Sequence, residues 1–151
     1  MSNGPEPAFV ALDVETTGVR PGTDYVYEVA LVSFDVAGHA LECYESLCRP
    51  PVKELSKRLA PLADAPSLAD IAGDVLARLA RGTVVGHNLG FDVEMLEAEL
   101  ERFGAWLPTL SCIDTLNVAS SLSQSRSSRE GGLPGGAFSR AGAPSHDSAD
   151  P

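Results

Sequence analysis

Residues 9–18 read Phe9-Val10-Ala11-Leu12-Asp13-Val14-Glu15-Thr16-Thr17-Gly18. From Ala8 to Val14 the run is nearly all apolar, the pattern of a central strand covered on both faces. Asp13 and Glu15 close it. Two apart on a strand, their carboxylates project from the same side and can share a cation. Like charges at that spacing raise each other's pKa and cost stability unless a metal or a base offsets them. Gly18 then permits tight backbone turning beside a ligand. An isolated Asp-x-Glu is more often just the water-exposed acidic end of a strand. Here, core-like Phe9, Val10, Ala11 and Leu12 put the pair at the rim of the densest part of a sheet, where ligands of α/β proteins gather.

Working outward, Val26–Phe34 and Ala40–Leu47 are β-rich runs separated by a short reversal containing Gly38, which predicts a three-stranded antiparallel meander. Ser67 precedes Leu68, Ile71, Val75, Leu76 and Leu79 at helical spacing, with Gly82 as the stop, so a capped helix follows. Thr83–Gly86 reads as a short buried strand, and Phe91–Phe103 as a helix carrying Leu96, Leu100 and Phe103 on one face. Ser111–Ile113 is a further short strand, with Asp114 the N-cap of a helix through about Leu122. The whole is mixed α/β. The second polar constellation is Val84-Val85-Gly86-His87-Asn88-Leu89-Gly90-Phe91-Asp92, which sets Asp92 in the first turn of a helix, where the dipole favours an acid. If the two strands lie side by side, Asp13, Glu15 and Asp92 converge into a three-carboxylate oxygen site suited to magnesium or manganese.

The chain has 151 residues, 11 basic and 21 acidic, for a formal net charge of −10. No general basic surface exists to hold a polyanion, which excludes a histone-like or polybasic binder. Divalent cations bridging carboxylates to phosphates are the exception to that exclusion. All the net charge falls in residues 1–120, whereas the last 31 residues are rich in Ser, Gly, Ala and Pro. Residues 1–7 are therefore expected to be a flexible N-terminus, 8–122 the folded domain, and 123–151 a low-complexity, disordered tail. Neither an export signal nor a membrane-length apolar run is present, so the expected compartment is the cytoplasm and no membrane partner is expected. The three cysteines form no CxxC and read as reduced thiols. Trp106 is assigned to the core ahead of an interface, and Glu97, Glu99 and Glu101 to a solvated helix face.

Asp13-Val-Glu-Thr-Thr-Gly18 followed by Val84-Val-Gly-His-Asn-Leu-Gly-Phe-Asp92 resembles the first two exonuclease motifs of the DEDD superfamily. Tyr27-Glu28-Val29-Ala30-Leu31-Val32 and Cys112-Ile113-Asp114-Thr115-Leu116 are similar to two further elements, and the resemblance runs from Phe9 to roughly Leu122. Within the superfamily the chain looks most like the proofreading epsilon subunits of bacterial DNA polymerase III and their stand-alone relatives. The resemblance implies a ribonuclease H-like fold, a five-stranded mixed sheet with its first three strands antiparallel and helices flanking it. It implies a 3′–5′ exonuclease that hydrolyses phosphodiester bonds at single-stranded 3′ ends, DNA favoured, in proofreading or repair, and releases nucleoside 5′-monophosphates. Asp13 would bridge two divalent cations, Mg²⁺ or Mn²⁺, with Glu15 on the first and Asp92 on the second. Thr16, Thr17 and Gly18 would line the pocket for the terminal nucleotide, with Asn88 and Phe91 near its sugar and base. A DNA polymerase subunit is the implied protein partner.

The family's third motif needs a general-base histidine and, five residues later, a fourth metal-binding aspartate on a helix. The candidates here are His146 and Asp150, four apart. On a helix that difference turns a side chain by about 100°. Pro151 disfavours helical geometry at Asp150, and as solvated residues of a Ser/Gly/Pro tail the pair would carry no role. The alternative expectation is therefore a truncated or catalytically incomplete module that keeps the fold and binds metal, nucleotide or a polymerase partner.

Overall fold

The computed structural model describes residues 5–53 and 55–130, the last eight of these as backbone only. Strands β1 (Phe9–Thr16), β2 (Val26–Phe34) and β3 (Ala40–Leu47) form the antiparallel meander. Asp35 closes the reversal between β2 and β3, its Oδ1 accepting the amides of Ala37 and His39 at 2.9 Å each. Helix α1 (Leu68–Leu79) leads to β4 (Thr83–Gly86), which pairs parallel with β1. Helix α2 (Leu89–Glu101) leads to β5 (Cys112–Asp114), parallel to β4, and helix α3 (Thr115–Glu130) follows. The sheet order is β3-β2-β1-β4-β5, so the strand bearing Asp13 and Glu15 is the middle one. The expected five-stranded mixed sheet is observed.

The local reasons match the sequence. Ser67 caps α1 through a reciprocal pair: its hydroxyl takes the Asp70 amide at 3.3 Å while the Asp70 carboxylate takes the Ser67 amide at 2.8 Å. Leu68, Ile71, Ala72, Val75 and Leu79 form its buried stripe. They pack with Leu89, Met95, Leu96 and Leu100 of α2 and with Val10, Leu12, Val14, Val29 and Leu31 of the sheet as one core. Gly86 allows β4 to turn into α2 at close quarters, since a Cβ there would lie 2.8 Å from Leu89 Cδ1 and 3.1 Å from the Leu12 carbonyl oxygen.

Five expectations change. Burial along β1 alternates, with Val10, Leu12 and Val14 inside, Phe9 and Ala11 half-buried, and Asp13 and Glu15 exposed, so the strand is buried on one face rather than two. Helix α2 begins at Leu89, earlier than Phe91, because Asn88 takes up the reversal in a left-handed conformation, φ 60°. Glu99 is 5% exposed rather than solvated: it accepts the Val26 amide at 3.2 Å and pairs with Arg102 at 2.5 Å. Trp106 is 69% exposed, on the segment after Gly104, and not in the core. Helix α3 continues beyond Leu122 to Glu130, into the segment read as low-complexity; its Ser, Gln and Arg residues tolerate a helix, and no glycine or proline intervenes before Gly131.

Candidate active site

Asp13 and Glu15 project from the middle strand on the face away from the core, both exposed, as their spacing requires. Across the β1–β2 ladder Asp13 faces Ala30 and Glu15 faces Glu28, after which the register slips so that Thr16 pairs with Val26. That irregularity leaves Tyr27 as an extra residue beside the carboxylates, the place where bulges re-aim side chains. The Tyr27 hydroxyl donates to Glu15 Oε2 at 3.3 Å and accepts from Arg58 Nη2 at 3.3 Å. Glu28 has its pKa raised, first by desolvation and then by the charges of Glu45, Glu15 and Asp13. The corner is dense in negative charge.

Asp92 reaches the same corner from α2. It is 5% exposed, and its Oδ1 accepts the Val14 amide at 3.4 Å, between the two β1 carboxylates in sequence. The β1–β4 pairing ends at Ala11 and Val85. Past that point Asp92 serves an amide that the departing strand leaves behind. Burial pushes its carboxyl up to about 6; the Val14 amide opposes this, and the charges of Asp13 and Asp114 add to it. The donors fit a hard divalent cation, because they are carboxylate oxygens and a positive charge would relieve a buried acid crowded by other acids. Asp13, Glu15 and Asp92 are the residues that would hold it. Without a cation, the three carboxylates of the expected oxygen site do not stand close together: among the described residues no three acid, histidine or cysteine side chains are near enough to hold a metal ion as they lie. Two physical reasons account for this. Asp92 spends an oxygen on Val14, and like charges repel one another without a cation between them.

The residues assigned to nucleotide contacts flank this corner. Thr16 Oγ1 donates to the Gly18 carbonyl at 2.6 Å, and Thr17 Oγ1 accepts the Tyr25 amide at 2.9 Å. Gly18 lies against Asp24, whose carboxylate would have to move aside for an added Cβ 2.5 Å away, and its backbone is not left-handed. Asn88 is exposed at the start of α2, and Phe91 is half-buried against the core. His146 and Asp150 lie outside the described residues. Sequence reasoning gave Asp114 only a capping role and Thr115 none, yet both reach the β4–α2 turn. Asp114 Oδ1 accepts the Asn88 amide at 3.0 Å as well as the Leu116 amide at 2.9 Å. Thr115 Oγ1 donates to the Gly86 carbonyl at 3.1 Å. The signal for them was the polar pair standing where β5 ends, level with the end of β4.

Comparisons with known proteins bear on this arrangement. A family model described as Exonuclease (RNase_T) matches residues 10–137. DNA polymerase III subunit epsilon of Treponema pallidum is 35% identical over 100 residues, covering 62% of this chain and 46% of that protein. The PolC-type DNA polymerase III of Thermotoga petrophila is 30% identical over 127 residues, covering 79% of this chain and 9% of that protein. The chain thus spans less than half the length of these curated relatives. Among solved structures, apo Exonuclease I aligns with a TM-score of 0.65 at 21% identity over 78% of this chain and 31% of that one. E. coli Exonuclease I in complex with a dT13 oligonucleotide aligns at 0.64 and 21% identity, over 76% of this chain and 29% of that one. These likenesses show the fold, which is ribonuclease H-like.

Proposed function

The chain belongs to the exonuclease family whose model spans residues 10–137, and from that membership we propose that it is a metal-dependent 3′–5′ exonuclease domain. Its substrate is a single-stranded nucleic-acid 3′ end, DNA in preference to RNA, and its products are nucleoside 5′-monophosphates. The observation that carries the reading is Asp92, a buried carboxylate raised to about 6 beside the exposed pair on the middle strand. Two divalent cations, Mg²⁺ or Mn²⁺, would supply Lewis acidity at the scissile phosphate and neutralise the leaving 3′ oxygen. Asp13 and Glu15 offer exposed oxygens for them, and Asp92 anchors its helix to β1 through the Val14 amide. The Thr16–Gly18 turn, tied down by its two hydroxyls, offers a rigid edge for the terminal nucleotide, with Asn88 and Phe91 facing the same end of the sheet. Hydrolysis adds water across the P–O3′ bond, leaving a shortened strand with a new 3′ hydroxyl. His146 would take the proton from that water and Asp150 would complete the ligand set.

The likeness to DNA polymerase III proteins supports DNA as substrate, and the likeness to that enzyme's epsilon subunit supports a polymerase III subunit as partner. Among the described residues no helix is long and apolar enough to cross a membrane, and we place the protein's work in the cytoplasm with replication or repair. A second reading, a nucleotide- or metal-binding module without turnover, is favoured by the separation of four between His146 and Asp150 where the family's third motif has five. One assay separates the two: 3′-labelled single-stranded DNA and RNA, with and without magnesium, against wild type and Asp13→Ala. The exonuclease reading expects magnesium-dependent release of labelled mononucleotide that falls at least about 100-fold in the variant. Equal degradation by both proteins refutes it, and manganese binding with no release selects the binding module.

A further inference from the structure

We propose that Asp114 and Thr115, at the junction of β5 and α3, are positioning residues that hold the β4–α2 turn in the conformation from which Asp92 reaches the middle strand. The inference rests on reading Asp92 as a metal ligand. Three consecutive residues of that turn are gripped by this one dipeptide, which lies more than twenty-five positions away in the chain. Thr115 Oγ1 donates its proton to the Gly86 carbonyl at 3.1 Å. Its remaining capacity is as an acceptor, so the His87 Nδ1 contact at 3.2 Å is a donation from the imidazole to the hydroxyl. Asp114 Oδ1 takes the Asn88 amide at 3.0 Å and, from the other side, the Leu116 amide of its own helix at 2.9 Å.

The grip falls where the backbone needs it. Asn88 is the one non-glycine residue with positive φ among the described residues, at φ 60° and ψ 40°, and its side chain makes no capping bond to α2. A left-handed non-glycine residue is strained and persists only when its surroundings hold it. Asp92 follows one helical turn later, and its bond to the Val14 amide is already long at 3.4 Å. A small change in the departure angle of α2 therefore separates Asp92 from β1. Among the described residues, the bonds from α3 to the β4–α2 turn come from its first turn and the residue before it.

The test uses the full chain and four variants: Asp114→Ala, Asp114→Asn, Thr115→Val and Thr115→Ser. Two quantities are read, Mn²⁺ affinity from the spin-resonance signal of the free ion, and amide hydrogen exchange of residues 86–93 compared with residues 68–79. The expected result for Asp114→Ala and Thr115→Val is faster exchange in 86–93 with 68–79 unchanged, and Mn²⁺ affinity weakened about 10- to 100-fold. Asp114→Asn and Thr115→Ser, which keep the oxygen, recover most of both. If exchange in 86–93 is unmoved, or rises equally in both segments, the inference is overturned. Should Asp114→Ala fail to fold, Thr115→Val makes the same comparison. A wild type that binds manganese through this grip yet cleaves nothing removes the exonuclease reading and leaves the positioning role standing. A wild type that cleaves, with variants that match it in both readouts, does the reverse.

Discussion

A carboxyl group raised to about 6 while 95% shielded from solvent opposes folding whenever it is ionised, which makes Asp92 the most informative single residue. Its folded pKa lies above its unfolded value, so the folded state holds the proton more tightly between about pH 4 and pH 6. Stability from this group is therefore present at low pH and lost as pH rises through 6. The shift corresponds to about 3 kcal/mol. The metal-free protein should melt at a higher temperature at pH 5 than at pH 7, and Asp92→Asn should flatten that difference; thermal melts of both proteins at the two values check it. Saturating manganese should cancel the same difference by supplying the counter-charge. At this scale the sequence places the three carboxylates on their elements. Asp13 and Glu15 follow from two-residue periodicity and Asp92 from the helix-start pattern. What was not readable was the long-range half: the Val14 amide met by Asp92, and the reach of Asp114 and Thr115 to Asn88 and Gly86, are properties of strand adjacency that no local window contains.

Helix α2 carries chemistry at both ends. At its start Asp92 meets β1; near its finish Glu99 takes the Val26 amide of β2 and the Arg102 guanidinium, which also donates to the Asp24 carbonyl at 3.0 Å and lies 4.1 Å over the Tyr25 ring. Burial raises the Glu99 pKa, and Arg102 and the Val26 amide counter it. Removing the cation strands a buried acid, so Arg102→Ala should cost about 2 kcal/mol, less than a fully enclosed pair because Arg102 is partly exposed. Glu99→Gln should cost less, since the amide keeps an acceptor for Val26. Urea midpoints for both variants decide the order. The element boundaries explain why Glu99 was misread. Its neighbours Glu97 and Glu101 are exposed as expected, and only the arrival of Val26 and Arg102 turns the middle glutamate into a strut. The start of helix α1 was legible because its Ser67 cap acts locally, whereas its end falls at Leu79, before Gly82, which serves the close approach to the Ala8 backbone; α2 was displaced because an asparagine did the work usually given to glycine.

For the molecule as a whole, the formal charge of −10 sets how a polyanion can be held. Among the described residues three cations are already committed to acids, Arg78 and Arg81 to Glu42 and Arg102 to Glu99. Oligonucleotide affinity should therefore depend weakly on salt, with a log–log slope shallower than about −2 for a single strand; titrations in manganese from 50 to 300 mM salt, on the order of the usual range, measure it. A steep slope would instead mean that many basic side chains meet the phosphate backbone. The architecture was legible from the alternation of β-rich runs and periodic helices, whereas the one-sided burial of β1 was not, because a continuous apolar run looks the same whether one face or both are covered. The strand order also fixes a sequence of assembly. Strands β1, β2 and β3 zip between chain neighbours, but Phe9 must find Thr83 before Asp92 can come beside Asp13. Closing so long a loop is slow. In refolding from urea, hairpin signal should thus return ahead of manganese uptake, and the ion becomes a clock that strikes only when the last parallel seam is sewn.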